Sequence, residues 1–403
     1  MVPEGWKLAT FDKHIDFLTG FAFKSAQYST NYGDIKLLRG DNIEPGKLRW
    51  RDAKYWPVAE SNNLGNYHLK QGDFVIAMDR TWISSGLKVA EVKDYDLPCL
   101  LVQRVARIRA KSSLEQSLLK QYFSAHKFEQ YVKSVQTATA VPHISPNDIR
   151  EFPFLLPPLP EQKKIAHILS TWDKAITTTE QLLANSQQQK KALMQQLLTG
   201  KKRLLDESGV KFNVEWKTYY LSDLAKIVMG SSPKSDAYNE TGLGLPLLQG
   251  NADIKKRRSA PRVHTSEITK ECKVGDILLS VRAPVGTVAI SNHHACIGRG
   301  IAAISAKNGF DQDFIYQWLL WFEAMWCSFS QGSTFESVNS NDIKKIKIKS
   351  PEYMEQQKIA SVLSAADDEK NSLQQKLAHL NQEKKALMQQ LLTGKRRVKV
   401  TTA

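Results

Sequence analysis

The sequence predicts an α+β protein: two similar mixed α/β domains joined by two long helices that form an antiparallel coiled coil, with approximate two-fold symmetry. Three observations carry this. KKALMQQLLTGK occurs twice unchanged, at Lys190–Lys201 and at Lys384–Lys395. Each copy closes a longer match, which starts with EQKKIAHILS at Glu161 and EQQKIASVLS at Glu355. Glu161 to Glu355 and Lys190 to Lys384 are both 194 residues apart, so neither copy has gained or lost a residue. Loops tolerate length changes, so a fixed length marks an element whose length is used.

The first globule spans residues 1–156. Ile35–Leu38, Phe74–Ala77, Lys88–Val92 and Leu101–Ile108 read as strands, with turns at Gly33-Asp34, Gly72-Asp73 and Ser85-Gly86. Leu114–Val135 reads as a helix. Polar and basic residues gather at the turns: Lys24 and Ser25, then Arg39 and Asn42, then Arg80, Trp82 and Ser84, and finally Thr137 and His143. Arg suits guanine, Asn suits adenine, and hydroxyls suit bases or phosphates.

Residues 157–203 read as the first long helix. Ile165, Leu169, Trp172, Ile176, Leu183, Leu193 and Leu197 follow alternating four- and three-residue steps, interrupted by Thr179, Ser186 and Lys190. In the second helix, within residues 351–403, Ile359, Leu363, Ala366, Leu373, Leu377, Leu380, Leu387 and Leu391 keep the same phase. Pro160 and Pro351 mark the starts, and Gly200 and Gly394 the ends. Antiparallel pairing follows because the chain must leave one globule, traverse to the other and return.

The second globule, residues 204–350, repeats the first loosely. Trp6-Lys7 is echoed by Trp216-Lys217, LLRGDNI at Leu37 by LLQGNADI at Leu247, QGDFVIAMDR at Gln71 by VGDILLSVRAP at Val274, and Asn147-Asp148-Ile149 by Asn341-Asp342-Ile343. Its candidates are Ser232 and Lys234, Gln249 and Asn251, and Arg282, which follows its strand much as Arg80 follows the first. The basic run Lys255-Lys256-Arg257-Arg258 suits phosphate contact, and Ser333 and Thr334 sit on a polar tip that could approach a groove. The tail after Gly394 is basic and expected to be mobile.

Composition narrows the class. Lys and Arg number 56 against 41 Asp and Glu, a formal charge of +15. Such an excess suits a polyanion, most often nucleic acid. Four scattered cysteines with no CxxC pair fit a reducing, cytoplasmic setting. His293-His294 with Cys296 lacks a second ligand pair, so no metal is expected. Thr199-Gly200-Lys201 lacks the upstream glycine of a phosphate-binding loop, and no catalytic constellation stands out.

PPLPEQKKIA at Pro157–Ala166, the LLTGK helix end, the second helix from Glu355, the paired Gly72-Asp73 and Gly275-Asp276 strands, and QGST at Gln331–Thr334 together resemble the specificity subunits of type I restriction–modification systems. The first globule departs from that pattern, with Gln136-Thr137-Ala138-Thr139 where QGST belongs. The resemblance implies two target recognition domains, each reading half of a split site in double-stranded DNA, with helices as spacer and docking platform. It implies two methylation subunits as partners, and restriction subunits in the full complex. S-adenosylmethionine, ATP and magnesium belong on those partners, and no cofactor on this chain. Two other classes fit the same features. One is a stand-alone sequence-specific DNA-binding regulator and the other a coiled-coil protein scaffold. Co-purification with a methyltransferase subunit separates all three.

Overall fold

The computed structural model describes residues 2–137, 142–329 and 338–400, with backbone alone at 327–329. Ser333, Thr334 and the QGST tip lie outside the described residues, as does Thr139. The chain forms two compact units. Residues 1–180 and 376–403 make the first, and residues 181–375 the second.

In the first unit, Val89–Glu91, Phe74–Ala77, Val105–Ala110 and Ile15–Thr19 form an antiparallel sheet in that order. Phe74–Ala77 is central and buried on both faces, which is why it reads as an unbroken apolar run. A second sheet places Ile35–Leu38 between Cys99–Leu101, which is parallel to it, and Lys54–Trp56. The expected strand at Leu101–Ile108 is therefore two strands in different sheets. The expected helix at Leu114–Val135 is also two, Gln116–Phe123 and His126–Val135. The break at Ser124-Ala125 lets Phe123 and Phe128 meet at 4.8 Å between ring centroids. Phe11, fully buried, packs on Phe123, Phe152 and Phe154.

The second unit repeats this plan with longer sheets. Ala225–Met229, Ile301–Ala306, Ile277–Ser280, Val288–Ile290, Arg258–Ser259 and Ile254–Lys255 make six strands. Tyr238–Asn239, Val263–Thr265, Leu245–Leu248, Ala295–Ile297 and Glu271–Cys272 make five. The helix Gln312–Phe329 covers the larger sheet through Phe314, Trp318 and Phe322.

The repeated Gly-Asp pairs are structural. Gly72 and Gly275 adopt φ of +85° and +91°, where a side chain would be strained. Asp73 and Asp276 then close each turn by accepting the backbone N–H of Lys70 and Lys273. Asn147-Asp148-Ile149 and its echo belong to short helices capped by Ser145 and Asn339.

The long helices run Leu159–Leu197 and Tyr353–Leu391, 39 residues each, or about 60 Å apiece. Pro160 falls inside the first turn of the first helix. Gly200 and Gly394 end them with φ of +70° and +67°. Within the first unit, Ile165 and Leu169 pack with Met388 and Leu391 in one core with the globule. Within the second, Leu197 and Leu198 pack with Ile359 and Leu363 in the same manner. Numbers rise along one helix as they fall along its neighbour, so both pairings are antiparallel.

Ion pairs fix this register twice. Asp173 accepts Lys384 Nζ at 2.6 Å and Gln121 Nε2 at 2.8 Å. In the second unit Asp367 accepts Lys190 at 2.5 Å and Gln317 at 3.1 Å. Thr179, Ser186 and Lys190, which interrupt the apolar seam in sequence, are all buried. Burial alone would raise the Asp173 carboxyl, but the bond and charge of Lys384, with Gln121 and Lys120, outweigh it and hold Asp173 below its ordinary value. A depressed acid adds stability above its unfolded value and loses it as pH falls through the folded one. Asp173→Asn is expected to cost the first unit about 1–3 kcal/mol at neutral pH. Denaturant midpoints measured against pH check this: the gap between wild type and variant closes below about pH 4.

A second lock lies at each helix end. Glu161, buried, accepts both guanidinium arms of Arg397 and the indole N–H of Trp6. Glu355, fully buried, does the same with Arg203 and Trp216. Each guanidinium also lies over its indole, at 5.7 and 5.8 Å. The neighbouring glutamines tie in the globules. Gln162 accepts from Glu115 N, and Gln356 from Asp311 N. This corrects the expectation of a mobile tail, since Arg397 is anchored.

Candidate nucleic-acid interface

The two units place their candidates at equivalent turns. Gly20 and Gly230 each approach a backbone carbonyl so closely that a Cβ would lie 2.1 Å from it. Four residues beyond each stands a lysine. Lys24 and Lys234 are both exposed and open a short 3-10 turn, and neither ammonium has a partner among the described residues. Ser25 is exposed, and Ser232 Oγ accepts Arg299 N.

The strands Ile35–Leu38 and Leu245–Leu248 lead into the next pair of turns. Val102 N donates to Leu38 O, and Gly298 N to Leu248 O, which sets Arg39 and Gln249 in equivalent places. Asn42 is a correction. It is buried, its Oδ1 accepts Arg39 N, and its Nδ2 donates to Arg49 O, so its amide is spent inside the fold. Asp253 does this work in the second unit, accepting Gln249 N and the Arg262 guanidinium. Gln249 and Asn251 are half-buried, and their side-chain amides make no hydrogen bond among the described residues.

Register also corrects the match between Arg80 and Arg282. Ala77 stands opposite Val105, and Ser280 opposite Ile301. Arg282 therefore takes the place of Asp79, one residue before that of Arg80. Both arginines are exposed, with no side-chain partner among the described residues. Trp82 is half-buried against the first core with Lys133 Nζ 3.7 Å from its ring centre, which leaves the indole little free surface. Ser84 is exposed at the tip of the Trp82–Leu87 hairpin. His143 Nδ1 lies 2.7 Å from Asp79, its backbone N–H donates to Thr137 Oγ1, and its carbonyl accepts Thr137 N.

The basic run divides. Lys256 and Arg257 occupy the left-handed positions of a two-residue hairpin, φ +48° and +62°. Arg257 is a further correction: it forms a bidentate pair with Glu323 at 2.5 and 2.6 Å and donates to Val288 O. Lys255 and Lys256 are exposed and unpartnered among the described residues, and Arg258 only touches Asn292 at 3.5 Å. Sequence reasoning missed Lys88 and Arg104, which flank the same cleft as Arg80. The one signal for Lys88 was a lone lysine in an apolar strand run.

Among the described residues no cluster of His, Cys, Asp or Glu could hold a metal. His293 binds Ser259 and His294 pairs with Glu271. Cys99, Cys272 and Cys296 are buried free thiols, and burial pushes Cys99 up to about 12, which makes it inert at neutral pH.

Two units on one plan, each presenting an unpartnered lysine at the same turn among the described residues, give a duplicated surface with the charge to suit a polyanion. The family model of the type I restriction modification DNA specificity domain matches residues 3–185 and 213–382, and the chain belongs to that family. It is 29% identical over 416 residues to a putative type I restriction enzyme MjaX specificity subunit of Methanocaldococcus jannaschii, covering 99% of this chain and 95% of that one. It is 35% identical over 182 residues to the EcoAI specificity subunit of Escherichia coli, covering 45% and 30%. The fold matches the S subunit of a type I system from M. genitalium, with TM-score 0.64, 13% identity and coverage of 97% and 96%. It also matches a chain from a structural study of type I complex assembly, with TM-score 0.60, 24% identity and coverage of 98% and 100%.

Proposed function

We propose that this chain is the non-catalytic recognition subunit of a cytoplasmic type I restriction–modification complex, each globule reading one half of a bipartite site in double-stranded DNA. Two methylation subunits dock on the paired helices and methylate adenine from S-adenosylmethionine. Restriction subunits add translocation and cleavage driven by ATP and magnesium. The observation that carries this reading is the duplicated presentation of free cations, Lys24 with Lys234 and Arg80 with Arg282 in adjacent registers. No helix among the described residues is long and apolar enough to cross a membrane.

Binding measured against salt tests the contact with DNA. Affinity is expected to fall steeply as salt rises, because phosphate contacts release counterions. Replacing Lys255, Lys256 and Arg258 together by Ala should weaken binding to all sequences and flatten the log–log slope by about 2–3. Arg257 is left in place because its loss would expose Glu323. An unchanged slope would remove this hairpin from the interface.

Duplication gives a second test. A fragment ending after Arg203 keeps Glu161 and Asp173, and also Lys190 and Arg203, which match Lys384 and Arg397 at the 194-residue offset. Two copies can therefore remake every inter-helix ion pair between themselves. With methylation subunits, the fragment is expected to dimerise and modify a site with identical inverted halves, read by methylome sequencing. A fragment that stays monomeric with its partners and modifies nothing counts against the two-fold architecture.

A further inference from the structure

Lys88 is 7% exposed, yet its ammonium has neither hydrogen bond nor ion pair among the described residues. Its backbone is fixed, since Lys88 N donates to Thr81 O and Lys88 O accepts Ala77 N. A Cβ built on Gly40 would lie 4.0 Å from Nζ, which places the ammonium beside the turn that follows Ile35–Leu38. There it lines a cleft of about 250 Å³ with Gly40, Asp41, Asp79, Arg80 and Arg104. The stem of Lys88 is buried while its ammonium still meets solvent in this cleft, so the charge faces the opening and not the core. Burial pushes Lys88 below its ordinary value, and Arg80 adds to this while Asp41 and Asp79 oppose it.

The rim is built at a cost. Arg80 and Arg104 adopt φ of +45° and +67°, the left-handed region that disfavours side chains. Neither guanidinium is strongly held. Arg80 has no side-chain partner among the described residues, and Arg104 reaches Asp79 only at 3.6 Å with most of its side chain exposed. In the second unit, Gly300 stands where Arg104 does, since Val281 N donates to Gly300 O as Met78 N donates to Arg104 O. Thr287 stands where Lys88 does, accepting Ser280 N. The two globules thus differ at this position.

We infer that Lys88 is a specificity-determining residue that reads the guanine of one G·C pair in the half-site of the first globule. This rests on the DNA-reading function proposed above. In the major groove guanine offers two acceptors, N7 and O6, and its cytosine offers the N4 amino donor. Lys88 supplies donors for the first, and Asp41, lining the same cleft, supplies an acceptor for the second. A phosphate fits less well, because Asp41 and Asp79 would repel it, and the exposed Arg80 and Arg104 on the rim are better placed for the backbone.

The test is a binding selection on randomised duplexes with the full chain and its methylation subunits. It compares wild type with Lys88→Met and Asp41→Asn, each checked for folding by thermal melting. Lys88→Met is expected to relax one position from guanine to any base, by about 10- to 100-fold, and to leave the other half-site unchanged. Asp41→Asn should relax the same base pair more weakly, and it carries the test if Lys88→Met does not fold. A wild-type motif that both folded variants retain unchanged overturns the inference alone. So does a uniform loss over all sequences with a flatter salt slope, which marks a phosphate contact. A wild-type complex that selects no bipartite motif overturns the functional reading and this inference with it.

Discussion

Glu355→Ala is expected to destabilise the second unit by about 3–5 kcal/mol, the range for breaking a buried ion pair from one side. Glu355 has no exposed surface, and Arg203 and the Trp216 indole both depend on it. Its loss leaves the guanidinium uncompensated between the helix ends. A single unit of this size is stable by only about 5–15 kcal/mol, so one substitution removes a large share. Glu161→Ala should cost less, because the Arg397 side chain is 41% exposed against 17% for Arg203, and water can take over its solvation. Denaturation followed by tryptophan fluorescence would show this as an earlier transition confined to the altered unit. The double change Glu355→Ala with Arg203→Met should recover part of the loss, since no unpaired charge remains. Equal stability of wild type and Glu355→Ala would mean that the repeated Glu-Gln pair is not the lock described here.

Lengthening both helices is expected to change the DNA target itself. Insertions near Gln188 and Gln382 fall between the ion-pair anchors, Asp173 and Lys190 on one helix and Asp367 and Lys384 on the other. Every anchor is retained. Four added residues lengthen each helix by about 6 Å and turn its far end by about 40°. Two base pairs advance the duplex by about 7 Å and turn it by about 70°. The two changes nearly match, and four residues make a tolerated stutter in a coiled coil. Seven residues keep the heptads but turn the end by only about −20°, whereas three base pairs turn the groove by about 100°. The four-residue variant should keep both half-sites and gain one or two unread base pairs, and the seven-residue variant should bind poorly. Methylome sequencing reads both. The original spacer in a functional four-residue variant would show that the helices do not set it.

Much of the architecture could be read from the residues. The unchanged KKALMQQLLTGK fixed both helix ends, because a repeated apolar seam closed by glycine has few other readings. Phe74–Ala77 and Ile35–Leu38 were found to the residue, as short apolar runs bounded by turns. The purpose of the Glu-Gln pairs was not legible. Glu161 meets Arg397 across 236 residues of sequence, and Trp6 across 155. Nor could sequence separate residues that build a turn from residues that face outward. Asn42 and Arg257 have suitable chemistry for DNA but spend it within the fold, Asn42 in the interior on Arg49 O and Arg257 at the surface on Glu323. Lys88 went unnoticed for the opposite reason, since a lysine in a strand reads as a solvated edge until its burial is known.

The central claim is that each globule reads its own half of one split site. Exchanging residues 1–156 for the corresponding segment of another family member tests it most directly, with methylome sequencing of cells that carry the complete system. One half of the modified motif should change to a new sequence, while the other half and the unread spacer stay as they were. A motif that changes in both halves, or one contiguous site without a spacer, would contradict the claim.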